Sequence, residues 1–206
     1  MDHLKIRVLV MISGSGTNLQ ALIDKIQVEN KLPNASIVGV ISNRSKAFGL
    51  ERAQKHGIPT SILALKPFKD EGKTRVEYDI ALADLVLSYN PTIVVLAGFM
   101  HILSSDFLSR LPNLPIINLH PALPGQFDGA RAIERAYDAF KLGQIQHTGV
   151  MVHKVIAEVD QGAPIITKEV PIFTEDSLES LETRIHEAEH DLLFLGLEKA
   201  ISELSN

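Results

Sequence analysis

Short apolar runs alternate with amphipathic stretches along the first half of the chain. The runs predict five strands, at residues 6–12, 36–42, 60–65, 92–97 and 115–119. Apolar positions with helical spacing lie between them and predict helices at about 18–30, 46–56, 75–89 and 104–111. Strands that alternate with helices are typical of βαβ units. We therefore expect an α/β fold with a Rossmann-like, open, mostly parallel twisted sheet that carries helices on both faces.

The pattern changes after residue 130. A helix at about 130–142 precedes two longer strand-like segments, 148–155 and 164–170, which predict an antiparallel C-terminal extension. A final helix is expected to begin near Asp176, which has capping-box spacing with Glu179, and to end near residue 204.

The sequence contains no internal repeat and no low-complexity segment. Its most linker-like piece, residues 66–73, is charged and short, and is interpreted as a surface loop. We therefore expect a single domain over residues 1–206, with a phosphate-binding half at 1–112 and a catalytic half at 113–206.

Composition narrows the function classes. The 206 residues carry a formal net charge of −5, which does not favour a nucleic-acid partner. The chain has no cysteine, so a thiolate metal site and a thiol nucleophile are excluded. No apolar run approaches about 18 residues and no signal peptide is evident, so we expect no membrane partner and a cytoplasmic location.

The most informative chemistry lies at the end of the fifth predicted strand. Asn118 and His120 are two positions apart, so both side chains should leave the same face of the strand. Pro121 follows at once and ends the strand, which places the amide and the imidazole at a carboxyl end, where open α/β sheets bind ligands. Asp160, in a later loop beside Gly162, is a candidate to orient the imidazole.

A glycine-containing loop, Ser13–Leu19, connects the first strand to the first helix. Such a loop can turn backbone N–H groups towards a phosphate. A dinucleotide site would need a third glycine, where this chain has Leu19, and an acidic residue after the second strand, where it has Asn43. The loop therefore favours a phosphate monoester over NAD, and the alternative is a tight turn with Thr17 or Asn18 as a helix cap.

Two further motifs have competing interpretations. Gly98 would allow a ligand to approach the backbone, and the apolar side chains around Met100 could line a slot for a flat heterocycle. From the sequence pattern alone, core packing at a strand-to-helix junction is the favoured interpretation of these side chains. The run His186–His190 matches the H-E-x-x-H zinc pattern but lacks its extended form, so no metal is expected. The other histidines, including His153, are expected on surfaces or in ordinary hydrogen bonds.

Together these motifs resemble the glycinamide ribonucleotide formyltransferases, nearly from end to end. The most specific stretches are 13–20, 97–103, 118–121 and 147–164. The sequence at 120–125 resembles that of the fungal members. The resemblance implies a formyltransferase of purine biosynthesis that uses 10-formyltetrahydrofolate as cosubstrate, without a metal.

The resemblance also implies residue roles. Asn118, His120 and Asp160 match the catalytic residues. Positions matching the ribonucleotide-binding site are Gly16, Thr17, Asn18, Gly98 and Glu189. Positions matching the folate site are Arg75, Met100, His101, Ile102, Leu103 and Asn118. Many bacterial members have Arg at the position of His101, which leaves its role open, and residues 124–131 diverge, so no role is carried onto them.

The chemistry fits this set of residues. When an amine attacks the formyl carbon, the Asn118 amide and a protonated His120 can stabilise the negative charge on the formyl oxygen, and a nearby Asp160 is expected to raise the pKa of His120. A 10-formyltetrahydrofolate hydrolase, a methionyl-tRNA formyltransferase and a non-catalytic nucleotide-binding module are the alternatives. The partners are expected to be small molecules, and the chain a monomer or a homodimer.

Overall fold

The computed structural model describes residues 5–204 as two compact units, one ending at Ile116 and the other beginning at Ile117. Its strands are β1 (Ile6–Ile12), β2 (Ala35–Ser42), β3 (Thr60–Ile62), β4 (Ile93–Leu96), β5 (Ile116–His120), β6 (His147–Lys154) and β7 (Pro164–Pro171). Its helices are α1 (Thr17–Ile23), α2 (Phe48–Lys55), α3 (Leu65–Asp70), α4 (Arg75–Ser88), α5 (Ser105–Ser109), α6 (Ala132–Lys141) and α7 (Leu178–Leu204).

The first unit is built on parallel strands in the order β3-β2-β1-β4. Every residue of β1 except Arg7 is buried, as expected for a strand covered on both faces. The register pairs Ile12 with Ser42 and Met11 with Leu96, so β1, β2 and β4 end at the same edge. The loops that follow these three strands therefore meet there.

The second unit contains the antiparallel strands. Strand β6 pairs with β5 on one side and with β7 on the other. Helix α7 packs against β6 and β7, and Gly196 lies so close to Val152 that a larger residue on the helix would overlap its side chain. Parallel strands followed by antiparallel ones, with helices around them, confirm the predicted α/β class.

Three local predictions differ from the structure. Helix α3 occupies much of the segment that was expected to be a surface loop, residues 66–73. The helix expected at 18–30 is α-helical only to Ile23 and continues as a π-helical turn, Asp24–Val28. The capping box expected for α7 is replaced by a hydrogen bond from the Ser180 N–H to the Ser177 hydroxyl, because the Asp176 carboxylate binds other partners.

Candidate active site

The loop after β1 leads directly into α1. Gly16 occupies the N-cap position of α1 with φ of 71°, a left-handed conformation that glycine adopts without strain. Because Gly16 holds the N-cap position, neither Thr17 nor Asn18 is the N-cap residue that the alternative expected. Both residues instead lie in the first turn of the helix.

Helix α2 supports this loop, a role that the sequence analysis missed. The Gly49 N–H donates to the Gly14 carbonyl over 3.1 Å, and Arg52 Nε donates to the Ser15 carbonyl over 2.9 Å. A Cβ on Gly16 would overlap the backbone of Gly49, and a Cβ on Gly49 would overlap the Ile12 side chain and lie tightly against Gly16. Two small residues far apart in sequence therefore let the start of α2 lie against the loop.

Ser13 connects the loop to the segment after β4. Its buried hydroxyl donates to Asn43 Oδ1 over 2.6 Å and accepts from the Met100 N–H over 2.7 Å. Its own N–H donates to the Gly98 carbonyl over 3.0 Å. Gly98 has φ of 72°, so it is needed here for its backbone conformation. These bonds fix the start of the predicted folate segment.

In the segment from Phe99 to Leu103, some side chains pack in the core and others face solvent, where a ligand could contact them. Phe99 and Leu103 are buried and pack into the core. Met100 and Ile102 are 69% and 58% exposed, which leaves two apolar side chains facing solvent. Arg75 lies beside them and donates to the Ile102 carbonyl, and His101 turns inward to a buried carboxylate, Asp79.

In the second unit, the structure brings Asn118, His120 and Asp160 together. His120 Nδ1 lies 3.3 Å from Asp160 Oδ2, and Asn118 Nδ2 donates to Asp160 Oδ1 over 3.2 Å. All three residues are at least half-buried. The opposite ring nitrogen, His120 Nε2, is buried and has no hydrogen-bond partner among residues 5–204.

Asp160 is held by its own backbone conformation and by the loop at 125–131. It has φ of 57°, a left-handed conformation that aspartate tolerates better than most residues. The Gly129 N–H donates to Asp160 Oδ2 over 2.8 Å. Burial raises the pKa of Asp160, but the neighbouring His153 ring, the hydrogen bond from the Gly129 N–H and the nearby His120 hold that pKa below the ordinary value. Asp160 is therefore an ionised acceptor at neutral pH.

The pKa of His120 differs from the prediction. Asp160 does raise it, as expected, but burial of the imidazole has the larger effect, and His153 also lowers it. The net result is a pKa of His120 below the ordinary value of about 6.5. Removing water from the charged imidazole costs more free energy than the neighbouring carboxylate restores. The lowered pKa favours the neutral imidazole at pH 7.

His153 also belongs to this cluster. It is buried and hydrogen-bonded, which agrees with one of the two predicted alternatives, but its place beside Asn118 and Asp160 was not predicted. It pairs directly with Asn118 across β5 and β6, and its Nε2 lies 3.1 Å from Asn118 Nδ2 and 3.4 Å from Asp160 Oδ1. Its Nδ1 lies 2.9 Å from the Lys154 carbonyl, which only accepts, so Nδ1 carries the proton. The antiparallel pairing was predicted, but its register, which would have revealed the contact, was not.

Glu189 and the H-E-x-x-H run lie on α7. Glu189 is buried, while His190 is partly exposed, with a pKa lowered by burial and by His186. Over residues 5–204 no group of three metal-ligating side chains is placed to hold a metal ion. The same stretch contains no helix long and apolar enough to span a membrane.

Comparison with known proteins identifies the family. The sequence profile of the formyl transferase family matches residues 6–197. A Schizosaccharomyces pombe protein named phosphoribosylglycinamide formyltransferase is 50% identical over 200 residues, which cover 95% of this chain and 97% of the relative. The chain belongs to the formyl transferase family. Another relative with the same name, from Saccharomyces cerevisiae, is 43% identical over 96% of this chain and 98% of its own.

Solved structures of the family have the same fold. The crystal structure of phosphoribosylglycinamide formyltransferase from Bacillus halodurans superposes with a TM-score of 0.86 at 33% identity, covering 96% of each chain. These comparisons confirm four predictions: the resemblance to this family, its fungal type, the transferase class and the fold class. The roles of single residues and the single-domain organisation stay predictions.

Proposed function

We propose that this formyl transferase moves the formyl group of 10-formyltetrahydrofolate to the amine of glycinamide ribonucleotide in purine biosynthesis. The observation that carries the proposal is the cluster of Asn118, His120 and Asp160, in a chain that is 50% identical to a phosphoribosylglycinamide formyltransferase. A buried imidazole held by a carboxylate, with its second nitrogen unpartnered among residues 5–204, is suited to receive a proton from a substrate amine.

The reaction needs a proton acceptor and a stabilised oxyanion. As the amine nitrogen bonds to the formyl carbon, the carbonyl electron pair moves to oxygen and the nitrogen becomes positively charged. Neutral His120 accepts the amine proton at Nε2, and Asp160 stabilises the imidazolium that results. In the structure, the Asn118 amide donates to Asp160 and lies against His153. During the reaction, one of its N–H groups turns away from these partners and donates to the oxyanion.

Collapse of the tetrahedral intermediate completes the transfer. The oxyanion reforms the carbonyl, the bond from carbon to N10 of the folate breaks, and the leaving nitrogen takes the proton held by His120. The products are the formylated amine and tetrahydrofolate. No side chain forms a covalent bond and no metal takes part. His153 acts as a positioning residue, because it supports both Asn118 and Asp160.

The binding roles follow the family likeness, residue by residue. The ribonucleotide would be bound by Gly16, Thr17, Asn18, Gly98 and Glu189. The folate would be bound by Arg75, Met100, His101, Ile102, Leu103 and Asn118. The exposed apolar side chains of Met100 and Ile102 support the second assignment, because they offer an uncovered surface to a flat ring. A cytoplasmic location and a monomer or homodimer remain part of the proposal.

The decisive assay measures tetrahydrofolate release from 10-formyltetrahydrofolate with and without glycinamide ribonucleotide. We expect release only when the amine is present. His120→Ala should lower kcat by at least a hundredfold while the ribonucleotide still binds. Release without the amine would favour the hydrolase alternative, and near-normal turnover by His120→Ala would refute the role of the imidazole.

A further inference from the structure

The segment Met100–Ile102 shows an inverted pattern of burial. His101, a polar residue, has a side chain only 8% exposed, whereas the apolar side chains on either side of it face solvent. Folding normally buries the apolar residues and leaves the imidazole outside. A specific contact must therefore hold His101 inward and so display its two neighbours.

That contact is the carboxylate of Asp79 on α4, which is completely buried. His101 Nε2 donates to Asp79 Oδ1 over 2.6 Å, since a carboxylate oxygen only accepts. The imidazole also packs edge-on against the Tyr78 ring, with centroids 5.1 Å apart, and against Phe99. The hydrogen bond and both ring contacts fix the orientation of the imidazole.

The same carboxylate also faces Arg75, one helical turn earlier. Arg75 Nε lies 3.7 Å from Asp79 Oδ2, which is an ionic contact too long for a hydrogen bond. The Nη2 atom of Arg75 donates to the carbonyl of Ile102. One buried charge thus orients two side chains, and each of them holds the segment at a different point.

We propose that Asp79 is a positioning residue for folate binding, acting through His101 and Arg75. Its carboxylate fixes the backbone of residues 100–102 so that Met100 and Ile102 present a preformed apolar surface to the folate ring. This proposal rests on the proposed function, which assigns the segment to the folate site. Within that site, it makes His101 the group through which Asp79 holds the segment.

Two isosteric variants test the proposal. Asp79→Asn keeps the volume but removes the charge, and His101→Phe keeps the ring packing but removes the N–H donor. Each should raise KM for 10-formyltetrahydrofolate about tenfold, with kcat and KM for glycinamide ribonucleotide changed less than twofold, because only uniform binding is lost. His101→Gln, which restores an N–H donor, should recover most of the lost affinity.

Asp84→Asn is the matched control, because Asp84 lies on the same helix and pairs with Arg110 at the exposed surface. Asp84→Asn should leave kcat and both KM values unchanged. A normal folate KM in both test variants would overturn the proposal, as would equal losses in His101→Gln and His101→Phe. A parallel loss in kcat and both KM values would assign Asp79 a purely structural role.

Calorimetric titration with 10-formyltetrahydrofolate alone separates this proposal from the proposed function. If the unmodified chain binds no folate, the function itself fails. If it binds folate and Asp79→Asn binds equally well, only the positioning role fails. The proposal expects binding by the unmodified chain and binding about tenfold weaker by Asp79→Asn.

Discussion

At the scale of single residues, the candidate site depends on opposing effects on charge. Burial lowers the pKa of His120, whereas the Asp160 carboxylate raises it, and burial has the larger effect. Asp160 itself is kept ionised by three neighbours that donate to it or lie near it. The pair can therefore rest as neutral imidazole and carboxylate and still accept a proton when the reaction generates one.

The Asp160→Asn variant tests this balance. Removing the carboxylate takes away the largest of the effects that oppose burial, so the pKa of His120 should fall further below its ordinary value. The measurement is an NMR titration of the His120 ring protons. Asp138→Asn, a charge removed from an exposed position on α6, should leave the titration of His120 unchanged. An unchanged titration in Asp160→Asn would contradict the pairing.

At the scale of elements, the start of α7 is fixed by one buried carboxylate. Asp176 accepts two hydrogen bonds from the Arg184 guanidinium, at 2.8 and 2.7 Å, and one each from the Phe173 N–H and the Ser180 hydroxyl. The Arg184 hydrogen bonds, opposed by burial, hold the pKa of Asp176 far below the ordinary value, with help from Phe173 and Ser180. This carboxylate, and not a capping box, orders the turn before the helix.

Asp176→Asn should therefore lower the free energy of unfolding by about 1–3 kcal/mol at pH 7. Because the folded pKa of Asp176 is lower than the unfolded one, its contribution is complete above about pH 4 and disappears as the pH falls further. Urea unfolding at pH 7 and pH 3 measures both effects. Glu175→Gln, at the adjacent exposed position, is the control. A loss that is equally large at pH 3 would contradict the assignment.

At the scale of the whole molecule, the proposed function predicts which ligands stabilise the chain. A ligand that binds only the folded state at a hundred times its dissociation constant adds about 2.7 kcal/mol of stability. For a chain of this size, that raises Tm by roughly 5–10 °C. Calorimetric melting should show this rise with glycinamide ribonucleotide alone. A rise with 10-formyltetrahydrofolate but none with the ribonucleotide would instead favour the hydrolase.

The sequence alone determined the α/β class, nearly every element and the placement of Asn118 and His120. These depend on local periodicity and on the alternation of side chains along a strand, both of which can be read from neighbouring positions. Helix α3 and the π-helical turn escaped prediction because short helical segments carry too few periods to be recognised. The loop after β1 was recognisable because its two glycines, Gly14 and Gly16, lie close together in sequence.

Only the tertiary structure decided the partners of the charged and polar groups. The contact between His153 and Asn118 depends on the register of β5 and β6. The contact between His101 and Asp79 depends on how α4 packs beside the segment after β4. The direction of the His120 pKa likewise required the depth of burial as well as the identity of its neighbour. Such contacts join residues distant in sequence, and their energies depend on desolvation, which no local pattern records.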